Sequence, residues 1–163
     1  NRCYYCKQGV FGTILEAAKN DGMTVILEGT NASDDADDRP GMKALQEMKV
    51  LSPLRMCGYV KSEIRKQSKE AGLFVYNKPS YACLATRIPT GTEIDEEKIK
   101  QVETAETFLF DLGFSDFRVR WMDNKAKIQM PESQLQALME KREVVLEELS
   151  KIFDEVLLDL RTR

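Results

Sequence analysis

Residues 23–41 read MTVILEGTNASDDADDRPG. The first seven form a continuous apolar run that stops at a glycine, the pattern of a strand covered on both faces. Asp34, Asp35, Asp37 and Asp38 then make a polar loop, and Pro40 suits the first position of a following helix. Just upstream, residues 8–20 carry Val10, Phe11, Ile14, Leu15 and Ala18 at spacings of three and four. That is an amphipathic helix stopped by Asp21 and Gly22. A helix feeding a buried strand predicts a parallel α/β sheet, in which ligands gather beyond the carboxyl ends of the strands.

Working outward, KVLSP (49–53) reads as another short strand. Residues 61–72 read as a polar helix capped by Gly72. NKPSYACLATRIPTG (77–91) is held extended by its prolines. The texture changes after Gly91. Asp95 caps a long helix to Leu112, with Ile99, Val102, Ala105, Leu109 and Leu112 on its inner stripe. DFRVRWM alternates and pairs with KAKIQM across Asp123 and Asn124. A second long helix is expected over 132–152, and EVLLDL as a final strand. The boundary falls near 89–92, giving units 1–88 and 89–163.

The chain has 24 basic and 27 acidic residues, a formal charge of −3. It therefore has no overall basic field of the kind that attracts nucleic acid. No apolar run is long enough to span a bilayer and no signal peptide is recognisable, so the cytoplasm is the expected compartment. Histidine is absent, which removes Ser-His and Cys-His catalysis and the commonest zinc ligand. Four scattered cysteines do not make a secreted disulfide scaffold. The chain opens on NRCYYCK without a methionine and reads as part of something longer.

Several positions stand out. Glu106 lies on the apolar side of its own helix. Either a cation or a reacting group meets it there, or it sits at the edge of the stripe and reaches water. Arg118 and Arg120, two apart on a strand, share one face and form either a clamp for phosphate or carboxylate or an ordinary solvated face. Cys3 and Cys6 have metal-ligand spacing but make half a site, which Cys57 and Cys83 would have to complete. The acidic loop suits magnesium beside a nucleotide, or is a solvated turn. Cys83 stands near Lys78 and Arg87, which would favour a thiolate, and the alternative is a buried, inert cysteine.

Taken in order, NRCYYCK, GTNASDDADDRPG, LSPL, KSEIRKQSKEAGL, NKPSYACLATRIPTG and FRVRW resemble the ATP-dependent sacrificial sulfur transferases of LarE type. These belong to the PP-loop (adenine nucleotide alpha hydrolase-like) ATP pyrophosphatase superfamily and act in nickel-pincer nucleotide synthesis. The resemblance spans essentially the whole chain and is most specific over 78–89. It implies the C-terminal part of a Rossmann-like PP-loop ATPase domain over 1–88 and a small α+β domain over 89–163. It implies that ATP, with magnesium, adenylates a carboxylate of a nucleotide-like substrate, and that Cys83 then gives up its sulfur. Glu106 is implied as catalytic, Arg87, Arg118 and Arg120 as substrate-binding, and Asn31, Asp35 and Arg39 as walls of the nucleotide site. A homo-oligomer is implied as well.

The sequence also departs from the family pattern. The adenylation loop S-G-G-x-D-S is absent and would lie upstream of Asn1, so this chain alone is expected to be inactive. Met56 and Gln129 stand where acidic residues are common. Some relatives use an iron–sulfur cluster on three cysteines, and the extra cysteines keep that variant open. Alternative readings are a tRNA-thiolating PP-loop enzyme and a metal- or RNA-binding module.

Overall fold

The structure is a computed structural model that describes residues 1–34 and 40–162. It is an α/β chain of two compact units, Asn1–Lys78 and Pro79–Arg163. The division falls at Lys78 and Pro79 rather than near 89–92, because Arg87 and Ile88 are buried within the second unit. The cysteine segment therefore belongs to the second unit.

In the first unit, helix α1 spans Arg2–Asn20 and stops at Asp21, with Gly22 at φ 74°. Helix α2, Pro40–Glu47, packs on α1. A Cβ at Gly41 would stand 3.0 Å from Cδ of Lys7, so the absence of a side chain lets the two helices approach. Met42, Leu45 and Val50 form a small core with Phe11, Ile26 and Met48. The doubly covered strand expected over 23–29 is not formed. Among the described residues its one ladder contact is a parallel bridge between Leu27 and Leu51, and Met23, Val25 and Leu27 are 57–64% exposed. Only Ile26 reaches the core, because no described element lies over the other side chains. Two further helices follow, α3 over Pro53–Met56 and α4 over Lys61–Glu70. Glu63 accepts from the Val60 N–H at the start of α4, and Gly72 follows its end at φ 71°.

In the second unit, helix α5 spans Glu96–Asp111, and the Asp95 side chain accepts from the Lys98 N–H at 2.8 Å. Strands β1 (Arg118–Met122) and β2 (Lys125–Gln129) form the expected hairpin. Its turn places Asp123 at φ 47° and Asn124 at φ 59°, the left-handed pair that a two-residue turn of type I′ requires. Strand β3, Glu155–Leu158, joins β2 in parallel, giving a mixed three-stranded sheet in the order β1-β2-β3. The expected helix over 132–152 is two helices, α6 (Glu132–Glu140) and α7 (Arg142–Leu149). The break at Lys141 lets Leu138 of α6 and both Val145 and Leu149 of α7 reach one core, which they share with Leu109, Phe117, Val119 and Ile128. Among the described residues no helix is long and apolar enough to cross a membrane.

Candidate functional site

Cys83 precedes a single 3₁₀ turn, Leu84–Arg87, and has extended backbone angles of φ −61° and ψ 151°. It is exposed, and among the described residues its thiol makes no hydrogen bond. Its carbonyl oxygen, by contrast, is heavily engaged. It accepts from the Thr86 N–H at 3.0 Å, from the Thr86 hydroxyl at 2.8 Å and from Nη1 of Arg87 at 3.4 Å.

Three arginines fix this segment, each through backbone oxygens. Arg87 is 2% exposed, and its Nη1 also donates to the Ala82 carbonyl at 3.2 Å and to Oγ1 of Thr86 at 2.9 Å. Arg118, buried on β1, donates to the carbonyls of Ser80 and Phe117, and its guanidinium stands 4.6 Å from the centre of the Tyr81 ring. The Tyr81 hydroxyl accepts in turn from the Asp116 N–H at 2.6 Å. Arg120 donates through Nη1 to the Thr86 carbonyl at 3.0 Å and through Nε to Gln129 at 2.5 Å.

The alternatives left open for Glu106 are resolved by its partners. It is buried, and both carboxylate oxygens meet Arg87: Nε donates to Oε1 at 2.7 Å and Nη2 to Oε2 at 2.9 Å. Oε1 also accepts from the Val119 N–H at 2.9 Å. The carboxylate thus ties α5, β1 and the 3₁₀ turn together. Arg87, expected to touch substrate, faces this carboxylate and the turn's own oxygens. Its charge, expected to favour a thiolate at Cys83, is matched by that of Glu106.

The Arg118–Arg120 face is not a plain solvated surface, because the cysteine segment lies over it. Arg120 is the half-buried member, and among the described residues its Nη2 has no acceptor. That nitrogen is the open donor of the set. Gln129, on the other side of Arg120, donates to Asp159 at 2.9 Å. Lys127 also meets Asp159 at 2.9 Å. The Lys127 ammonium first, then Gln129 and the Arg161 N–H, hold the Asp159 carboxyl well below the usual carboxylate range. A cavity of about 180 Å³ opens elsewhere in this unit, between β3 and α7, lined by Ile128, Leu138, Val145 and Leu158. A second, of about 230 Å³, lies against the turn, lined by Tyr81, Leu84, Arg87, Glu106 and Phe110.

The other expected residues lie in the first unit. The Asn31 side chain and N–H both donate to Asp34, at 2.8 and 3.1 Å. Glu28 ends the bridged segment and accepts from the N–H and hydroxyl of Thr30 and from Ser52. Asp35 and Arg39 lie outside the described residues. Cys3 and Cys6 are exposed on the first turns of α1. Among the described residues no group of three cysteine or acidic side chains is placed to hold a metal ion. Sequence reasoning missed Thr86, Tyr81 and Asp159. Their partners are 35 residues away for Tyr81 and 30 for Asp159, and no periodicity reports such pairs.

No protein-family model matches the chain. It is 38% identical to an uncharacterised protein of Synechocystis over 94% of its own length and 56% of that protein. It is 34% identical to the pyridinium-3,5-bisthiocarboxylic acid mononucleotide synthase of Lactiplantibacillus plantarum, over 81% of the chain and 48% of the synthase. An uncharacterised protein of Methanocaldococcus jannaschii is 31% identical over 88% of the chain and 56% of its own length. The chain thus spans about half the length of these relatives. Each match is longer than either unit, so the chain is related by sequence, through both of its units, to a pyridinium-3,5-bisthiocarboxylic acid mononucleotide synthase.

Proposed function

We propose that this chain is part of a sulfur transferase of LarE type, in which Cys83 is the sulfur donor. The observation that carries the reading is the state of Cys83. Its thiol is exposed and unengaged, while the backbone of its segment is fixed by three arginines of a unit related to the synthase. A thiol held ready for covalent attack needs that combination of free sulfur and rigid backbone.

The substrate class is a pyridinium mononucleotide bearing a carboxylate. The substrate carboxylate takes AMP from ATP, with magnesium, and pyrophosphate leaves; the loop containing Asn31, Asp35 and Arg39 is assigned to that nucleotide. Cys83 attacks the acyl carbon and forms a thioester as AMP departs. Removal of the Cα hydrogen of Cys83 then breaks its Cβ–S bond. The sulfur leaves as a thiocarboxylate, and dehydroalanine remains in the chain. Arg120 presents its free Nη2 to the substrate phosphate or carboxylate, with Arg118 behind it. Arg87 and Glu106 act by holding the turn. The expected oligomer and the cytoplasmic location go with this reading.

The test uses the complete enzyme. After one turnover with ATP and a pyridinium carboxylate mononucleotide, mass spectrometry should find the Cys83 peptide lighter by one hydrogen sulfide. Cys83→Ala should release pyrophosphate yet form no thiocarboxylate. Repeated turnover with Cys83 intact would overturn the assignment in favour of cluster-based sulfur delivery.

A further inference from the structure

Breaking the Cβ–S bond of a cysteine thioester by elimination develops negative charge at Cα as its hydrogen leaves, and a peptide Cα–H is a very weak acid. The negative charge that develops there is delocalised onto the residue's own carbonyl oxygen. Donors aimed at that oxygen lower the barrier, as donors aimed at any developing oxyanion do. The Cys83 carbonyl has three: the Thr86 N–H at 3.0 Å, the Thr86 hydroxyl at 2.8 Å and Nη1 of Arg87 at 3.4 Å.

The direction of the Thr86 hydroxyl is fixed by chemistry. A guanidinium has no acceptor, so in the 2.9 Å contact between Nη1 of Arg87 and Oγ1 of Thr86 the hydroxyl must accept. The Thr86 hydrogen is then free for the Cys83 carbonyl alone. Glu106 holds Arg87 through two bonds on its far edge, so the relay runs from a buried carboxylate to the oxygen beside the reacting carbon. Cys57 supplies the contrast. It is also exposed, but among the described residues its carbonyl accepts no hydrogen bond.

We propose that Thr86 and Arg87 form an oxyanion hole for the protein's own Cys83 carbonyl, which activates the Cα hydrogen for elimination. The inference rests on the sulfur-donor reading above. A solvent base takes the Cα hydrogen, and the electron pair moves onto the carbonyl oxygen as an enolate held by the three donors. The pair then returns to form the Cα=Cβ bond as the Cβ–S pair leaves on sulfur.

The hole can be tested without ATP or substrate. In the whole chain, 2,5-dibromohexanediamide first alkylates each cysteine to a cyclic sulfonium, which then eliminates to dehydroalanine. Peptide-resolved mass spectrometry follows the two steps separately at Cys83 and Cys57. Elimination at Cys83 should be at least about tenfold faster than at Cys57. Thr86→Val should abolish most of that advantage while leaving sulfonium formation at Cys83 unchanged, and Thr86→Ser should restore it. Should Thr86→Val not fold, the comparison of Cys83 with Cys57 in the unaltered chain still decides. Equal elimination rates at the two cysteines, or an unaltered rate in folded Thr86→Val, would overturn the proposal. Such a failure concerns the carbonyl hole alone, whereas an intact Cys83 after enzymatic turnover overturns the donor reading itself.

Discussion

Arg87 and Glu106 meet through two parallel hydrogen bonds of 2.7 and 2.9 Å, with side chains only 1% and 6% exposed. The pair joins a 3₁₀ turn to a helical residue 19 positions further on, and a third bond from the Val119 N–H brings in the sheet. Removing one partner leaves the other charge buried without compensation.

Glu106→Leu should therefore destabilise the chain by about 3–5 kcal/mol. The double change Arg87→Met with Glu106→Leu should recover much of that loss, because no lone buried charge remains. Urea denaturation of both variants checks this. A loss under about 1 kcal/mol in Glu106→Leu would mean that water reaches Arg87 after all.

Under the proposed function, Arg120→Ala in the complete enzyme should weaken binding of a pyridinium carboxylate mononucleotide by about 1.5–3 kcal/mol, the worth of a charge-assisted contact. Isothermal calorimetry supplies the measurement. Unchanged affinity would make Arg120 a brace for the Thr86 carbonyl and nothing more.

Arg118→Lys keeps the charge but loses the planar fork that reaches two carbonyls and lies over Tyr81. Amide hydrogen exchange over 80–86 should quicken by about tenfold, with the β1–β2 hairpin unaffected. Equal protection in both proteins would show that Arg87 and Arg120 suffice to hold the segment.

The depressed Asp159 carboxyl sets a pH dependence. A carboxylate whose folded value lies below its unfolded one contributes stability that is complete above about pH 4. That contribution is lost progressively as pH falls towards the folded value. Thermal midpoints measured from pH 6 to pH 2 should fall less steeply in Asp159→Asn than in the parent. Parallel curves would remove Asp159 from the acid response.

The hairpin, its turn and the capped helix α5 were legible in the sequence, because each is a local pattern. Alternation marks β1 and β2, and Asp95 announces the start of α5. The apolar run at 23–29 misled because a buried-strand pattern reports what a segment can pack against, and no described element covers Met23, Val25 or Leu27. The kink at Lys141 escaped because the apolar residues keep helical spacing across it. At the site, Glu106 announced itself by a charge on an apolar stripe, but the sequence could not name its partner. Thr86 gave no signal, since a threonine beside an arginine is unremarkable until the turn folds its hydroxyl onto the Cys83 carbonyl.

Every anchor of segment 80–86 described above ends on a backbone oxygen, on Tyr81 or on Thr86, and none ends on sulfur. The scaffold is therefore blind to whether its sulfur is still there. Cys83→Ser should melt with the parent chain, and under the proposed donor reading a chain carrying dehydroalanine at position 83 should keep the same anchors. Under that reading, whatever distinguishes a used molecule must read the chemistry at position 83, because none of these anchors records it.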